Sequence, residues 1–304
     1  MIKSVLITGA NAGLGKESAR QLAQKSSIEK IYLGCRNPQK AKLAKQGLEE
    51  LTARDIFEVL PIDVSNLTSV RKAVALLPEP VDALIMNAGG TGGKKFQKHT
   101  QDGVTQIFAV NLLGHAVLAE ELIKAGKLQQ VALYAGSEAA RGVKEMGMKR
   151  PELKTSSVDE FVSICNGAFY ADTKDATVPY GPLKYMAALW MSAMARQHSA
   201  IRFITMSPGA TTGTEGFNTL SPVRQYLMKG MMQVMLWLGK VHRVEVGAQR
   251  YVDGLFNSAY QNGGFYASKQ GLTGAVGEQG VLFKDINNES FQDNAYQAIQ
   301  RFIK

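Results

Sequence analysis

Tyr180 and Lys184 are the residues whose types and spacing point most directly to chemistry. Residues four apart lie on one face of a helix, and here they lead a line of small and apolar side chains, Ala187, Met191 and Met194. An ammonium group beside a phenol stabilises the phenolate, so the tyrosine could act as an acid or a base near neutral pH. The alternative is a structural pair, a tyrosine at the rim of the fold beside a lysine that extends to solvent.

Two further polar residues could complete such a site. Ser137 lies three residues after Tyr134, the last residue of the apolar run 131–134, which has the character of a strand. Asn111 lies on a mostly apolar line of a long helical pattern, where an inward amide needs partners from backbone, water or a catalytic lysine. It could instead satisfy a helix kink near Gly114.

A glycine-rich turn near the N-terminus could bind a phosphate. It reads Thr8-Gly9-Ala10-Asn11-Ala12-Gly13-Leu14-Gly15 and separates an apolar run from a helical pattern. Glycine permits positive φ and close approach of a phosphate, and the following helix offers free N–H groups. The spacing G-x-x-x-G-x-G differs from the standard fingerprint G-x-G-x-x-G, and an ordinary turn is the alternative. Its place at the first strand-to-helix junction favours a dinucleotide site.

The end of the second apolar run bears on which dinucleotide would bind. About 20 residues past such a loop, an acidic residue usually holds the 2′-hydroxyl of NAD. This chain has Arg36 there, and a guanidinium would pair with the 2′-phosphate of NADP. We therefore predict a preference for NADP(H), the alternative being a solvated surface arginine. Asp63 and Asn87-Ala88-Gly89 close the next two runs, where ligands of parallel sheets lie, although Asp63 alone could also be a turn residue.

The elements that would position these residues follow from the hydrophobic pattern. Seven short apolar runs have the character of buried parallel strands: 5–7, 31–33, 57–60, 83–86, 131–134, 201–204 and 264–267. Helical patterns cover residues 14–25, 38–53, 67–77, 101–126 and 180–198. This alternation predicts an α/β fold, a single doubly wound domain over residues 1–304.

Two regions interrupt the alternation. Residues 139–179 are polar and mixed, and residues 210–243 contain a methionine-rich stretch at 226–238. Long connections in a compact α/β domain are usually functional. The methionine-rich stretch could be an apolar lid over a lipophilic substrate, a core helix, or an interfacial helix flanked by Arg224, Lys229, Lys240 and Arg243.

Composition narrows the class of protein. The 304 residues are 45% hydrophobic and 20% charged, which excludes a disordered chain. The net charge of +9 is spread without a run of five like charges, so we expect no nucleic-acid partner. The chain has two cysteines and no signal-peptide pattern, which favours a cytoplasmic protein. Its four histidines do not have metal-ligand spacing, so we expect no metal site.

Taken together, these residues resemble the short-chain dehydrogenase/reductase family over residues 3–210. The motifs that carry the resemblance are Thr8-Gly-x-x-x-Gly-x-Gly15, Asp63, Asn87-Ala88-Gly89, Asn111, Ser137, Tyr180-x-x-x-Lys184 and Pro208-Gly209. The resemblance implies an NAD(P)-dependent oxidoreductase with a Rossmann-type, seven-stranded parallel sheet. It implies that Tyr180 is the proton donor, that Ser137 orients the substrate oxygen and that Lys184 holds the nicotinamide ribose. Asn111 would anchor a water that links Lys184 to solvent.

The resemblance extends to the cofactor contacts. NADP(H) is expected to touch Gly9, Asn11, Gly13, Leu14, Gly15, Arg36, Asp63, Val64, Asn87, Ala88, Gly89, Tyr180, Lys184, Pro208, Gly209, Thr211 and Thr212. Which threonine reaches the nicotinamide carboxamide is open, because this chain has Gly213 where the family often has threonine.

Within the family, two segments look like the branch of retinol dehydrogenases and protochlorophyllide reductases, which generally favours NADP. These are the sequence around Arg36 and Val246-Gly247-Ala248-Gln249. The implied reaction is hydride transfer between the nicotinamide and a carbonyl or alcohol of an apolar small molecule. Reduction of a conjugated C=C bond and a non-catalytic NADP-binding sensor are the alternatives. The long segment between Ser137 and Tyr180 resembles an insertion in monomeric carbonyl reductases, so we expect a monomer, with membrane-surface contact as a secondary possibility.

Overall fold

The computed structural model describes residues 1–143, 147–212 and 234–303. In this part of the chain, eight strands form one sheet in the order β3-β2-β1-β4-β5-β6-β7-β8. The strands are β1 Ser4–Thr8, β2 Lys30–Cys35, β3 Phe57–Pro61, β4 Val81–Met86, β5 Leu128–Ala135, β6 Arg202–Met206, β7 Phe265–Ser268 and β8 Val276–Glu278. The first seven pair in parallel, and β8 pairs antiparallel with β7 at the edge.

Eight helices of eight residues or more flank this sheet in the described residues. They are α1 Gly13–Ala23, α2 Pro38–Thr52, α3 Leu67–Leu76, α4 Gln106–Lys124, α5 Val158–Asn166, α6 Tyr180–Gln197, α7 Val244–Phe256 and α8 Glu289–Gln300. Side chains define several of the starts: Asn37 accepts from the N–H of Lys40 at α2, and Asn66 accepts from the N–H of Ser69 at α3.

The two faces of the sheet are covered by different helices. Helices α1, α2 and α7 contribute to one apolar cluster, with Leu22, Leu48 and Val252 among its buried residues. Helices α3 to α6 and α8 contribute to the other, which contains Leu118 and Trp190. Layers of helices on both faces of a mostly parallel sheet form the doubly wound α/β architecture.

Helix α4 is the one described segment long and apolar enough to cross a membrane by length and composition. It is 72% buried inside the fold, as in the core helices of many water-exposed domains. Its second turn, Ala109–Leu113, is π-helical, a local distortion often found at functional sites.

The predicted α/β fold is confirmed, and all seven predicted strands are present. The predicted sheet lacked β8, because this three-residue strand is too short to show an apolar period. Helices α5, α7 and α8 were also not predicted. Helix α5 lies inside the 139–179 segment, whose polar composition hides an apolar face formed by Phe161, Ile164 and Cys165.

Candidate active site

A cleft of about 660 Å³ opens at the carboxyl ends of the parallel strands. Its volume lies in the range of ligand-binding clefts. Thirteen of the residues expected to contact a cofactor line it: Gly9, Asn11, Gly13, Leu14, Arg36, Asp63, Val64, Asn87, Ala88, Gly89, Tyr180, Lys184 and Pro208. The structure therefore brings most of the expected residues to one place.

The glycine-rich turn has the backbone conformation expected of a phosphate cradle. Gly9 and Gly13 have φ values of +67° and +54°, which other residues rarely adopt. Gly15 does not line the cleft, and a Cβ at this position would lie 2.5 Å from the Gly9 carbonyl oxygen. Ala12, the N-cap of α1, provides no side-chain cap, and the first turn of the helix has no acidic residue. The free N–H groups at this positive end suit the pyrophosphate of a dinucleotide.

The far end of the cleft is basic. Arg36 and Lys40 are both exposed and line the cleft, with Asn37 between them. Among the described residues neither side chain forms an ion pair, so both charges are available to a phosphate. Lys40 was not expected; its signal was a second basic residue one helical turn after Arg36.

Asp63 lines the cleft and also stabilises its own turn. Its Oδ1 accepts hydrogen bonds from the N–H and the hydroxyl of Ser65, at 2.9 and 2.7 Å. The two interpretations of this residue, turn residue and cofactor contact, are therefore compatible.

Thr8 connects the glycine turn to the end of β4. Its hydroxyl oxygen accepts from the N–H groups of Asn87 and Ala88, at 2.9 and 3.0 Å. The Asn87 amide in turn donates to the Thr8 carbonyl over 2.9 Å. Gly89 follows, where a Cβ would lie 2.5 Å from the Oδ1 of Asn111, so only glycine fits there.

Tyr180 and Lys184 line the inner end of the cleft, and Ser137, which is not one of the lining residues, interacts with Tyr180. Ser137 lies two residues after the end of β5, and its hydroxyl forms a hydrogen bond with the Tyr180 phenol. Lys184 lies one turn further along α6, is 4% exposed and donates from Nζ to the Ala135 carbonyl over 2.8 Å. Its Nζ lies 5.4 Å from the centre of the Tyr180 ring. A proton donor, a hydrogen-bonding partner and a cation therefore share one corner.

Burial controls the protonation of this corner. It raises the pKa of Tyr180 to about 12, although the Ser137 hydrogen bond opposes the change, and Glu138 reinforces it. Burial also lowers the pKa of Lys184 to about 7. Lys184 was expected to stabilise the phenolate of Tyr180. In the chain without cofactor burial has the larger effect, because it disfavours both the phenolate of Tyr180 and the ammonium of Lys184. Tyr180 is consequently a neutral phenol at physiological pH.

Asn111 lies outside the lining of the cleft, in the π-helical turn of α4. It is fully buried, and its amide donates to the carbonyls of Gly90 and Ile107, at 2.7 and 2.8 Å. Its Oδ1 accepts from the N–H of Gly90 over 3.0 Å. The side chain thus ties the loop after β4 to a distorted helix, which agrees with the kink interpretation.

The segment after Pro208 contributes fewer residues to the cleft than expected. Gly209 has φ +73°, and a Cβ there would meet the Leu272 carbonyl oxygen at 2.5 Å. Thr211 pairs with His242, and the N–H of Thr212 donates to the His242 carbonyl over 2.8 Å. Neither threonine lines the cleft in the part of the chain that the structure describes. Of the methionine-rich stretch 226–238, residues 226–233 lie outside that part.

A buried ion pair supports the inner corner. Glu138 follows Ser137, accepts from the Ser207 hydroxyl over 2.6 Å and from the Ser268 N–H over 3.0 Å, and faces Arg250 of α7. Arg250 is 7% exposed and also donates to the Ser268 hydroxyl over 3.0 Å. Sequence reasoning missed this pair, because residues 138 and 250 come together only through the ends of β5, β6 and β7.

Comparison with known proteins agrees with the N-terminal part of this arrangement. Residues 3–139 match the family model described as short chain dehydrogenase. Human retinol dehydrogenase 13 is 35% identical over 124 residues, 40% of this chain and 36% of that protein. Short chain dehydrogenase rstn4 of Aspergillus nomiae is 37% identical over 124 residues, 40% of this chain and 33% of that protein. These matches span well under half of each relative.

Solved structures are similar over much more of the chain. L-Sorbose reductase from Gluconobacter frateurii, complexed with NADPH and L-sorbose, aligns with a TM-score of 0.65 and 15% identity over 90% of this chain and 97% of that one. NADPH-bound carbonyl reductase from chicken fatty liver aligns with a TM-score of 0.56 and 18% identity, over 87% and 95% of the two chains. At this level of identity the likeness concerns the fold alone.

Proposed function

We propose that the chain is an NADP(H)-dependent oxidoreductase of the short-chain dehydrogenase/reductase family, because residues 3–139 match that family's model and retinol dehydrogenases are among its relatives. It would transfer hydride between the nicotinamide and a carbonyl or alcohol of a lipophilic small molecule. The observation that carries the proposal is a cleft that runs from the glycine-rich turn to Tyr180 and Lys184, with Ser137 hydrogen-bonded to the Tyr180 phenol.

The cleft fits a dinucleotide along its length. The turn at Gly9–Gly13 would hold the pyrophosphate, and Lys184 would reach the ribose next to the nicotinamide. The bound nicotinamide supplies the hydride chemistry. Arg36 and Lys40 support the choice of NADP(H), because two basic side chains at the cleft rim, with no ion-pair partner among the described residues, favour an additional phosphate.

The protonation state suits reduction of a carbonyl. A neutral Tyr180 can donate its phenolic proton to the substrate oxygen as negative charge develops there. The Ser137 hydroxyl lies beside that phenol and would hold the same oxygen by a hydrogen bond. Lys184, once protonated, would stabilise the phenolate that the transfer leaves behind.

The lipophilic substrate is supported by two observations. Several of the relatives are named retinol dehydrogenases, and the described end of the methionine-rich stretch exposes Val234, Trp237 and Leu238. Such side chains at a long connection suit an apolar ligand. Reduction of a conjugated C=C bond would use the same tyrosine and is a distinct outcome of the test below.

A monomeric, cytoplasmic protein is part of the proposal. Helix α6 is buried along nearly all of its length, under α5 from the 139–179 segment and under α8. Its surface is therefore covered by the chain itself. We expect light scattering to give a mass near 33.0 kDa, and a mass near twice that value would refute the monomer.

The test is NADPH oxidation by the purified protein with a panel of apolar aldehydes, ketones and enones, followed by product analysis. We expect an alcohol from the aldehydes or ketones, and much slower oxidation of NADH. Saturated carbonyl products from the enones would favour C=C reduction. If the protein binds NADPH but oxidises it with no compound of the panel, the result would favour a non-catalytic NADP-binding sensor.

A further inference from the structure

Tyr134, near the end of β5, places its hydroxyl between two groups of the candidate site. The oxygen accepts a hydrogen bond from the Lys184 Nζ over 3.3 Å. It donates one to the backbone carbonyl of Asn111 over 2.8 Å. A carbonyl only accepts, so the single phenolic proton goes to Asn111, and the phenol oxygen must accept from Lys184. One phenol oxygen thus joins the lysine of α6 to the π-helical turn of α4.

The Asn111 carbonyl has a second side-chain donor. His115 Nδ1 lies 3.0 Å from this oxygen, and burial lowers the pKa of His115 to about 4, so the ring is neutral. Nδ1 must then carry the proton, and Nε2 accepts from the Thr8 hydroxyl at 3.0 Å. Because a carbonyl oxygen has two lone pairs, Tyr134 and His115 saturate it.

This arrangement changes how the lysine is held. The family resemblance implied that Asn111 anchors a water in contact with Lys184, but both lone pairs of the Asn111 carbonyl are taken by protein donors. The aromatic ring of Tyr134 adds a second contact, since the Lys184 Nζ lies 4.7 Å from its centre.

We propose that Tyr134 is a positioning residue for Lys184, and that its hydroxyl takes the place of the solvent water expected between the lysine and Asn111. The role rests on the proposed function, because Lys184 matters to the reaction only through Tyr180 and the cofactor. It gives the lysine a fixed link to the protein instead of an exchangeable one.

The surroundings of Lys184 make this hydroxyl important. Among the described residues the Nζ hydrogen bonds go to Tyr134 and to the Ala135 carbonyl, and no carboxylate pairs with it. The titratable groups that face it are Tyr134 on β5, Tyr180 on its own helix and His115 on α4. Loss of the Tyr134 oxygen therefore leaves a buried ammonium with one acceptor.

The experiment compares Tyr134→Phe with Tyr170→Phe. Tyr170 is a matched control, because it is also buried and also donates its hydroxyl to a backbone carbonyl, that of Ile164, away from the cleft. Lys184 is titrated in the cofactor-free proteins by competitive acetylation with acetic anhydride and mass spectrometry. We expect Tyr134→Phe to lower the titration midpoint of Lys184 by about one pH unit, because one pH unit corresponds to the free energy of a hydrogen bond to a charged group. Tyr170→Phe should leave this midpoint unchanged.

The second readout is steady-state kinetics with NADPH and a carbonyl substrate that the wild-type protein reduces. We expect kcat to fall at least about tenfold in Tyr134→Phe, with little change in the KM for NADPH. The proposal is overturned if Lys184 has the same titration midpoint in Tyr134→Phe as in Tyr170→Phe, or if Tyr134→Phe keeps the kcat of the wild-type protein. If the wild-type protein reduces no carbonyl, the proposed function fails, while the acetylation result still decides whether Tyr134 holds Lys184.

Discussion

The Nζ of Lys184 lies 5.4 Å from the centre of the Tyr180 ring, and both side chains line one cleft. The two groups respond to burial in opposite ways: the pKa of the lysine falls to about 7, and that of the tyrosine rises to about 12. Both changes favour the neutral form. The cofactor-free site thus keeps a proton on Tyr180, while the charge on Lys184 is adjustable near neutral pH.

Replacement of Lys184 by methionine should change how stability depends on pH. The folded-state pKa of about 7 lies below the ordinary value of 10.5, so between these values the unfolded chain binds more protons. The free energy of unfolding should therefore rise with pH in the wild type, by about 2 kcal/mol between pH 7 and 9, and the methionine variant should lack this rise. Urea denaturation at several pH values measures it, and parallel curves for the two proteins would contradict the assignment.

Arg36→Asp should weaken the binding of NADPH. Loss of a charge-assisted contact to the 2′-phosphate predicts a Kd about 10- to 100-fold higher, with little effect on NADH. Lys42→Asp makes a comparable charge reversal at an exposed position on α2 that does not line the cleft. Fluorescence titration of both variants separates a direct contact from a general electrostatic effect, and equal losses would refute the role of Arg36.

Glu138→Gln should destabilise the fold. The change removes the carboxylate that faces buried Arg250 and accepts from Ser207 and Ser268, so we expect a loss of about 3 kcal/mol. Glu29→Gln breaks an exposed ion pair with Lys3 and should leave the free energy of unfolding nearly unchanged. Chemical denaturation measures both, and comparable small losses would show that the buried pair contributes little.

Gly89→Ala should reduce NADPH affinity. The added Cβ would lie 2.5 Å from the Asn111 Oδ1, so the loop at the end of β4 must shift where the cofactor is expected. Gly103→Ala is a useful control for a glycine substitution, because a Cβ at that position meets nothing within 4 Å, although its φ of +77° adds backbone strain. If NADPH binds both variants equally, the packing at Gly89 is not important for the cofactor.

The sequence predicted those parts of the site that depend on local order. Apolar runs located the parallel strands, and therefore the edge where Asp63, Asn87 and Ser137 lie. Helical spacing placed Tyr180 and Lys184 on one face of α6. Both predictions use interactions between residues near in sequence or between regular elements.

The parts that were missed depend on contacts between distant segments. Tyr134 was part of an apolar run, and nothing local indicates that its hydroxyl meets both Lys184 and Asn111. His115 is one of the four histidines without metal-ligand spacing, and its hydrogen bonds connect the Thr8 hydroxyl to the same carbonyl. Periodicity identifies a buried face, but the partner of each polar atom on that face is set by tertiary packing.

The central claim is that Tyr180 transfers the proton in an NADPH-linked reduction. Its most direct test is Tyr180→Phe, measured both by NADPH binding and by turnover of a carbonyl substrate that the wild-type protein reduces. We predict that turnover falls by at least about 100-fold, as expected for loss of a general acid, while the Kd for NADPH changes little. A variant that keeps wild-type turnover would contradict the account.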